Sequence, residues 1–137
     1  MKAWRVHAAG RPSEVLRLDE VPVPDPGPGE VRIATAATVC NLNEVDGCQG
    51  RYLTVNPPLP YVLGMEGTGV VDAAGPGAER WLGRRVVATA TGAFGAHAEA
   101  FVAPVDMVFD APPDLDDVGA AAFFFPFHLA HLGLFAR

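Results

Sequence analysis

The residues whose types could do chemistry concentrate in two stretches of the chain. Residues 63–71 read L-G-M-E-G-T-G-V-V and place the carboxyl of Glu66 beside the thioether of Met65. Residues 39–52 read V-C-N-L-N-E-V-D-G-C-Q-G-R-Y and end on Tyr52. Carboxyl, amide and phenol groups are those that hold or transfer protons in cleft-lining sites. Both stretches are also compatible with purely structural roles, so each role has to be weighed.

The glycines of the first stretch resemble half of a dinucleotide-binding loop. The fingerprint G-x-G-x-x-G requires a third glycine, and it must follow a strand and open a helix. Counted from Gly67 and Gly69, the third position is Asp72, and the residues that follow, V-V-D-A-A-G, are typical of a strand. The pattern therefore predicts glycines that allow close backbone approach within a strand, not a pyrophosphate site.

A metal site is the second interpretation of this stretch. Glu66 can ligate zinc, but the Met65 thioether is a poor ligand for it, and a catalytic site needs three protein ligands. The spacing of the remaining soft donors predicts no metal site, and histidines three apart in an apolar segment are expected to pack in a core or an interface. These donors are Cys40, Cys48, His128 and His131.

The second stretch has two interpretations that the residues alone leave open. Asn41, Asn43, Glu44 and Asp46 can cap a short helix or turn after a strand. Alternatively, they form one wall of a polar cleft in which Tyr52 is a donor or a proton source.

Short strands are expected to position both stretches. Residues 3–8, 14–21 and 29–39 alternate in polarity, and a proline-rich loop at 22–29 separates the second from the third. In the third, Val31, Ile33, Thr35 and Ala37 share one face. Further short strands follow between Gly, Pro and Asp, without βαβ alternation. This pattern predicts a mainly β fold with short helices, a barrel or sandwich.

The chain changes character after Phe109. Asp114 is the expected N-cap of a helix that continues into an alanine run, and Pro126 is expected to break or restart it. Residues 118–136 are almost wholly apolar. A membrane span is disfavoured because the run is short, contains proline and carries two histidines. A helix that is apolar all round must be buried, so a second domain or a second subunit is expected to cover 118–136.

Composition narrows the class of protein. Half of the 137 residues are hydrophobic, which suffices for the core of one domain. The net charge of −6 and the single lysine argue against a nucleic-acid surface. The first residues contain no apolar segment of a secretory signal, and reduced cysteines in a cytoplasmic protein are therefore expected.

Taken together, these motifs resemble the N-terminal, GroES-like domain of the medium-chain dehydrogenase/reductase superfamily. The resemblance covers nearly the whole chain and rests on P-G-P-G-E-V, the N-x-x-E turn, P-P-L-P-Y-V-L-G-M-E-G-T-G-V-V, L-G-R-R-V-V-A and P-P-D-L-D-D-V-G-A-A-A. Met65 stands where zinc-binding members have histidine, and Asn41 where they have their catalytic cysteine. The resemblance is therefore to the zinc-free quinone oxidoreductase and enoyl reductase branch.

The resemblance implies a GroES-like β-barrel over residues 1–112, and over 113–137 a helical segment leading to a Rossmann domain that is not in this chain. It implies catalytic roles for Asn41 and Tyr52, NADP(H) as the cofactor and no zinc. Cofactor-contacting positions are Glu44, Met65, Glu66 and Leu129, where Leu129 replaces a threonine common in the family.

The expected function is that of the substrate-cleft domain of a zinc-independent NAD(P)H-dependent reductase. Its substrate would be a small-molecule quinone, enone or enoyl compound, and the isolated fragment is expected to be inactive. The alternatives are a stand-alone, non-enzymatic assembly or binding module, including a homo-oligomer, and a zinc-type alcohol dehydrogenase with substituted ligands.

Overall fold

The structure is a computed structural model that describes residues 1–52, 55 and 57–135. Within these residues, eight strands and three helices follow one another. They are β1 (Lys2–Val6), α1 (Pro12–Val15), β2 (Leu16–Glu20), β3 (Glu30–Thr38), α2 (Leu42–Cys48), β4 (Tyr61–Val62), β5 (Glu66–Ala74), β6 (Arg85–Thr89), β7 (Ala100–Pro104), β8 (Val108–Asp110) and α3 (Asp117–Phe135). Short 3-10 turns occupy Glu79–Trp81, Thr91–Ala93 and Val105–Met107.

Two antiparallel sheets enclose the core. The smaller has the order β2-β1-β4 and the larger the order β7-β3-β5-β6-β8. They are joined where β1 meets the segment before β7, through a bridge between Ala3 and Ala98 and a 2.8 Å bond from Trp4 N–H to His97 O. The prediction of a mainly β fold with short helices is confirmed.

The alternation predicted for residues 29–39 holds only in its first half. Val31 and Ile33 are fully buried in the main core, whereas Thr35 and Ala37 are half-buried. Register irregularities against β5 lie between Arg32 and Ile33 and between Thr35 and Ala37, and such bulges change which face a side chain occupies.

The glycines of residues 63–71 lie inside or beside strand β5, as predicted. A Cβ on Gly69 would stand 1.9 Å from the carbonyl oxygen of Ala34 on β3, so only glycine allows the two strands to pair there. Gly64 has a φ of +97°, and a Cβ on it would lie 2.5 Å from the backbone nitrogen of His97. These glycines serve strand packing.

Helix α3 differs from its prediction in two respects. Its N-cap is Asp116 rather than Asp114, because the Asp116 carboxylate accepts a 2.7 Å bond from Gly119 N–H. Pro126 does not break the helix, which runs unbroken from Asp117 to Phe135. Proline removes the bond to the carbonyl four residues earlier, and that residue, Ala122, is exposed, so water can hydrate the carbonyl.

Only the first half of α3 is packed against the sheet. Ala120 and Phe124 form a buried cluster with Val87 of β6. Arg85 fixes the helix start, with a 2.7 Å ion pair to Asp117. The second half is exposed within this chain, and it belongs to the segment that a second domain or a second subunit is expected to cover. The structure describes this segment only as far as Phe135.

Candidate functional site

The N-terminus of helix α2 forms one part of the candidate site. Asn41 is its N-cap and Glu44 the third residue of a capping box, in which the Glu44 carboxylate accepts a 2.7 Å bond from Asn41 N–H. The capping role predicted for Asn41 and Glu44 is thus confirmed. It does not replace the functional role, because the same two side chains also bond residues of the first stretch, 63–71.

Glu44 connects the two stretches. Its side chain is buried, and its other carboxylate oxygen accepts a 3.1 Å bond from Met65 N–H. Strand β5 starts one residue later, at Glu66. The start of α2 and the start of β5 are therefore held by one carboxylate.

Glu66 lies beside Asn41. The Asn41 Nδ2 donates a 2.8 Å bond to Glu66 Oε1, while Glu66 Oε2 has no partner among the described residues. Burial raises the pKa of Glu66 to about 7, an effect that the Asn41 bond opposes and the nearby Glu44 charge reinforces. A buried carboxyl with one free oxygen and a pKa near neutrality can hold a proton at physiological pH.

Two donors converge on the sulfur of Met65. Asn43 Nδ2 lies 3.2 Å and the Tyr52 hydroxyl 3.8 Å from Met65 Sδ. The ring of Tyr52 also meets Phe94 edge-on, at 5.9 Å between centroids. Two polar side chains from residues 39–52 therefore contact the Met65 thioether, which immediately precedes β5.

Five of the six predicted site residues come together here: Asn41, Glu44, Tyr52, Met65 and Glu66. Leu129 is not among them: it lies on the exposed half of α3. Its role as a cofactor contact stays a prediction.

Sequence reasoning did not find two further residues of the region. Thr89 pairs directly with Glu66 across β5 and β6, and its Oγ1 is buried without a partner among the described residues. His97 bonds Thr38 at 2.9 Å, and burial lowers its pKa, so it is neutral. The register that places Thr89 opposite Glu66 depends on the pairing of two separate strands, so no local sequence pattern predicts it.

The soft donors considered for a metal are dispersed. Cys48 is buried among apolar residues and Cys40 is exposed, and both are free thiols. His128 packs against the rings of Phe109 and Phe124 at 5.8 and 5.7 Å. Within residues 1–52, 55 and 57–135, no three His, Cys, Asp or Glu side chains are grouped so as to hold a metal ion.

A separate groove is lined by none of the residues of this polar cluster. It has a volume of about 670 Å³, runs between α3 and the edge strand β8, and is lined by apolar rings that include Phe109 and Phe127. Helix α3 is long and apolar enough to cross a membrane by length and composition, with 11% of its most apolar window buried. Asp110, His128 and His131 are the titratable residues of its lining, which is otherwise apolar.

The cluster fits one end of a nicotinamide dinucleotide. A thioether, amide donors and a carboxyl suit a flat ring that bears one carboxamide. A pyrophosphate requires a glycine turn that opens a helix, and Gly67 and Gly69 lie in β5 instead. The described residues thus fit the nicotinamide end and not the phosphates.

Comparisons with known proteins agree with this architecture. Residues 27–113 match the family model of the alcohol dehydrogenase GroES-like domain. The human synaptic vesicle membrane protein VAT-1 homolog-like is 36% identical over 122 residues, covering 88% of this chain and 28% of that protein. A quinone oxidoreductase of Pseudomonas aeruginosa is 37% identical over 109 residues, covering 80% and 33% respectively.

A solved structure is similar over the whole chain. The Escherichia coli quinone oxidoreductase complexed with NADPH superposes with a TM-score of 0.88 at 28% identity, covering 99% of this chain and 41% of that one. The present chain therefore spans less than half the length of these proteins. By its family match and its fold, it belongs to the alcohol dehydrogenase GroES-like domain family, in the quinone oxidoreductase-like branch of the medium-chain dehydrogenases/reductases.

Proposed function

We propose that this chain is the substrate-cleft domain of a zinc-independent, NAD(P)H-dependent reductase of quinones or activated double bonds. The observation that carries the proposal is the meeting of Asn41, Tyr52 and Glu66 around Met65. A histidine at position 65 would offer a zinc ligand, whereas the thioether offers a soft acceptor that Asn43 and Tyr52 already use.

NADP(H), when bound, supplies a hydride. The chain's own residues would orient the acceptor and stabilise the negative charge that develops on its oxygen. Asn41 and Tyr52 carry the amide and hydroxyl donors for that oxygen, and removing one such donor typically costs about 100-fold in rate or more. Tyr52 or water is the proton source that the resemblance suggests.

The cofactor's phosphates require a second, Rossmann domain. The relatives are more than twice as long as this chain, which supports such a domain following α3. The exposed apolar side chains of α3, including Phe127 and Leu132, are the surface that this domain or a second subunit would cover. The fragment is accordingly proposed to be inactive alone, and the whole protein to be a cytoplasmic enzyme, with homo-oligomer formation as the other way of covering α3.

The first test is genetic and enzymatic. The coding sequence after residue 137 should continue into a strand followed by G-x-G-x-x-G. The polypeptide so defined should oxidise NADPH with duroquinone or 2-cyclohexenone, at a rate that chelators do not change. A coding sequence that stops at Arg137 would instead support a stand-alone module.

The second test concerns the assigned side chains. Asn41→Ser keeps a helix-capping oxygen but removes the amide donor, so it should lower kcat/KM by about 100-fold and, through the lost bond to Glu66 Oε1, lower the stability by about 1 to 3 kcal/mol. Tyr52→Phe should also lower it, whereas the matched Tyr61→Phe should not. Tyr61 lies against Phe94 in the neighbouring apolar cluster, away from Met65. Equal activities for both tyrosine variants would remove Tyr52 from the proposed site.

A further inference from the structure

Two buried carboxyl groups share one neighbour at the start of α2. Glu44 and Glu66 are each 1% exposed. Asn41 bonds both, through its backbone N–H to Glu44 Oε2 at 2.7 Å and through its side-chain Nδ2 to Glu66 Oε1 at 2.8 Å. The three residues form one connected cluster.

The two carboxyl groups accept different numbers of hydrogen bonds. Glu44 accepts two backbone N–H bonds, from Asn41 and Met65, and lies in the first turn of α2, where negative charge is favoured. Glu66 accepts one bond, and its Oε2 has no partner within the described part of the chain. Hydrogen bonds to a carboxylate stabilise its charged form, and two adjacent buried carboxylates disfavour ionisation of the second. Of the two carboxyls, Glu66 is therefore the one whose surroundings favour holding a proton.

Strand register adds a second polar atom beside Glu66. Directly opposed residues of an antiparallel pair lie on the same face of a sheet, and Glu66 is opposed by Thr89. The Thr89 hydroxyl is buried and without a partner among the described residues, whereas the hydroxyl of Thr68, farther along β5, donates to Val86 O at 2.7 Å. Spare hydrogen-bonding capacity is thus concentrated at the Glu66–Thr89 end.

The Glu66–Thr89 pair lies on the face of the sheet that packs against α3 farther along, at Val87. Thr68 is opposed by Val87, so Glu66, Thr68, Val87 and Thr89 share one face, and Val87 packs against Phe124 of α3. Two neighbouring buried groups with unused hydrogen-bonding atoms, a carboxyl and a hydroxyl, are costly to leave unpaired. A ligand oxygen is the partner that would satisfy both.

We propose that Glu66 is the proton donor of this site, a neutral carboxylic acid whose Oε2–H bonds the carbonyl oxygen of the substrate and then protonates it, with the Thr89 hydroxyl as the second contact. This inference rests on the proposed reductase function and assigns the proton to Glu66 instead of Tyr52, whose hydroxyl faces Met65. It specifies a neutral carbonyl compound as the substrate class, because a carboxylic acid donates to a carbonyl without a competing charge.

The step is balanced. Hydride addition to the electron-poor carbon supplies two electrons and one hydrogen nucleus, and the displaced π electrons place negative charge on the carbonyl oxygen. The O–H bond of Glu66 then breaks, a new O–H bond forms on the substrate oxygen, and the charge passes to Glu66. Water returns a proton to Glu66 before the next cycle.

The groups around Glu66 favour its protonated form near neutral pH. Among the described residues Glu44 on α2 is the titratable group whose charge acts on Glu66, and the same charge acts on His97. Across the sheet, β6 contributes the uncharged Thr89. Desolvation is the largest influence on the pKa of Glu66, and the Glu44 charge acts in the same direction.

The first arm of the test uses this chain and needs no cofactor. With glutamate 13C-labelled at its carboxyl, NMR titration should show one resonance with a midpoint near neutrality that is absent in Glu66→Gln. If that variant does not fold, the infrared band of a protonated carboxyl in the wild type, present at pH 6 and lost at pH 9, gives the same answer. A Glu66 that titrates in the ordinary acidic range overturns the proposal.

The second arm uses the polypeptide that includes the cofactor domain, with NADPH and duroquinone. Glu66→Gln should lower kcat by about 100-fold, leave KM nearly unchanged, and abolish the fall of kcat that the wild type shows as the pH rises through neutrality. A variant with the same kcat and pH profile as the wild type overturns the role of Glu66. A wild type that does not oxidise NADPH refutes the proposed function instead, and the NMR arm still decides the protonation state.

Discussion

Glu66 should make the folded state less stable as the pH rises. Its pKa increases from 4.5, the ordinary value, to about 7 in the folded protein. A raised pKa means that the folded state holds the proton more tightly than the unfolded chain. The stabilisation is therefore complete below pH 4.5 and is lost between there and pH 7, where the folded-state carboxyl also ionises.

The magnitude follows from the same values. At about 1.4 kcal/mol for each tenfold change in proton affinity, the shift corresponds to about 3 kcal/mol in total. Roughly 2 to 2.5 kcal/mol of this lies between pH 5 and pH 8, because part is already lost at pH 5. Such a change is a large fraction of the stability of a small domain.

Urea unfolding at pH 5, 6, 7 and 8 measures this contribution. Burial lowers the pKa of His97, which makes the folded state more stable with rising pH and opposes the Glu66 effect. The informative quantity is therefore the difference in unfolding free energy between the wild type and Glu66→Gln, in which the His97 contribution cancels. That difference should fall by about 2 kcal/mol from pH 5 to pH 8.

A control separates this effect from general carboxylate loss. Glu79 is exposed, and backbone hydrogen bonds lower its pKa, so Glu79→Gln should produce no such fall with rising pH. Parallel stability curves for the wild type and Glu66→Gln would refute the reasoning, since they would mean that Glu66 titrates alike in both states.

Three further results are expected. Gly69→Ala should prevent or severely weaken folding, because the new Cβ would lie 1.9 Å from Ala34 O. Gly133→Ala has open space around it and should stabilise α3 by up to about 1 kcal/mol. Equal melting temperatures for the two variants would contradict both expectations. Leu132→Asp, at an exposed position of α3, should leave the melting temperature nearly unchanged but disrupt docking of a second domain or subunit, and unchanged assembly by light scattering would show that this face is not an interface. Elemental analysis of the purified protein should show no stoichiometric zinc, and one zinc per chain would restore the alcohol dehydrogenase alternative.

The fold and most of the site could be predicted because short-range sequence patterns specify them. Asn41 and Glu44 are spaced as a capping box, and Gly67 and Gly69 precede a β-branched run, so their places in a helix start and a strand follow from short-range rules. Asp116 replaced Asp114 as the cap because several acidic residues precede α3, and spacing alone does not select among them.

The remaining features depend on contacts between distant segments. The partner of Glu66 across the sheet, Thr89, is set by the pairing of β5 with β6, which no local pattern specifies. Pro126 remains inside a helix because the first half of α3 is held by packing against Val87 and by Arg85, a tertiary effect that overrides the local preference.

The two bonds of Asn41 also limit how this protein can change in evolution. By the family resemblance, a zinc site here needs cysteine at position 41 and histidine at position 65. Cysteine at 41 alone would remove the donor to Glu66 Oε1, leaving a buried carboxyl without any of its present bonds. Histidine at 65 alone would remove the sulfur that Asn43 and Tyr52 contact. Each single substitution would therefore destabilise the buried cluster before a zinc ion could bind, so a change to a zinc site needs both substitutions together.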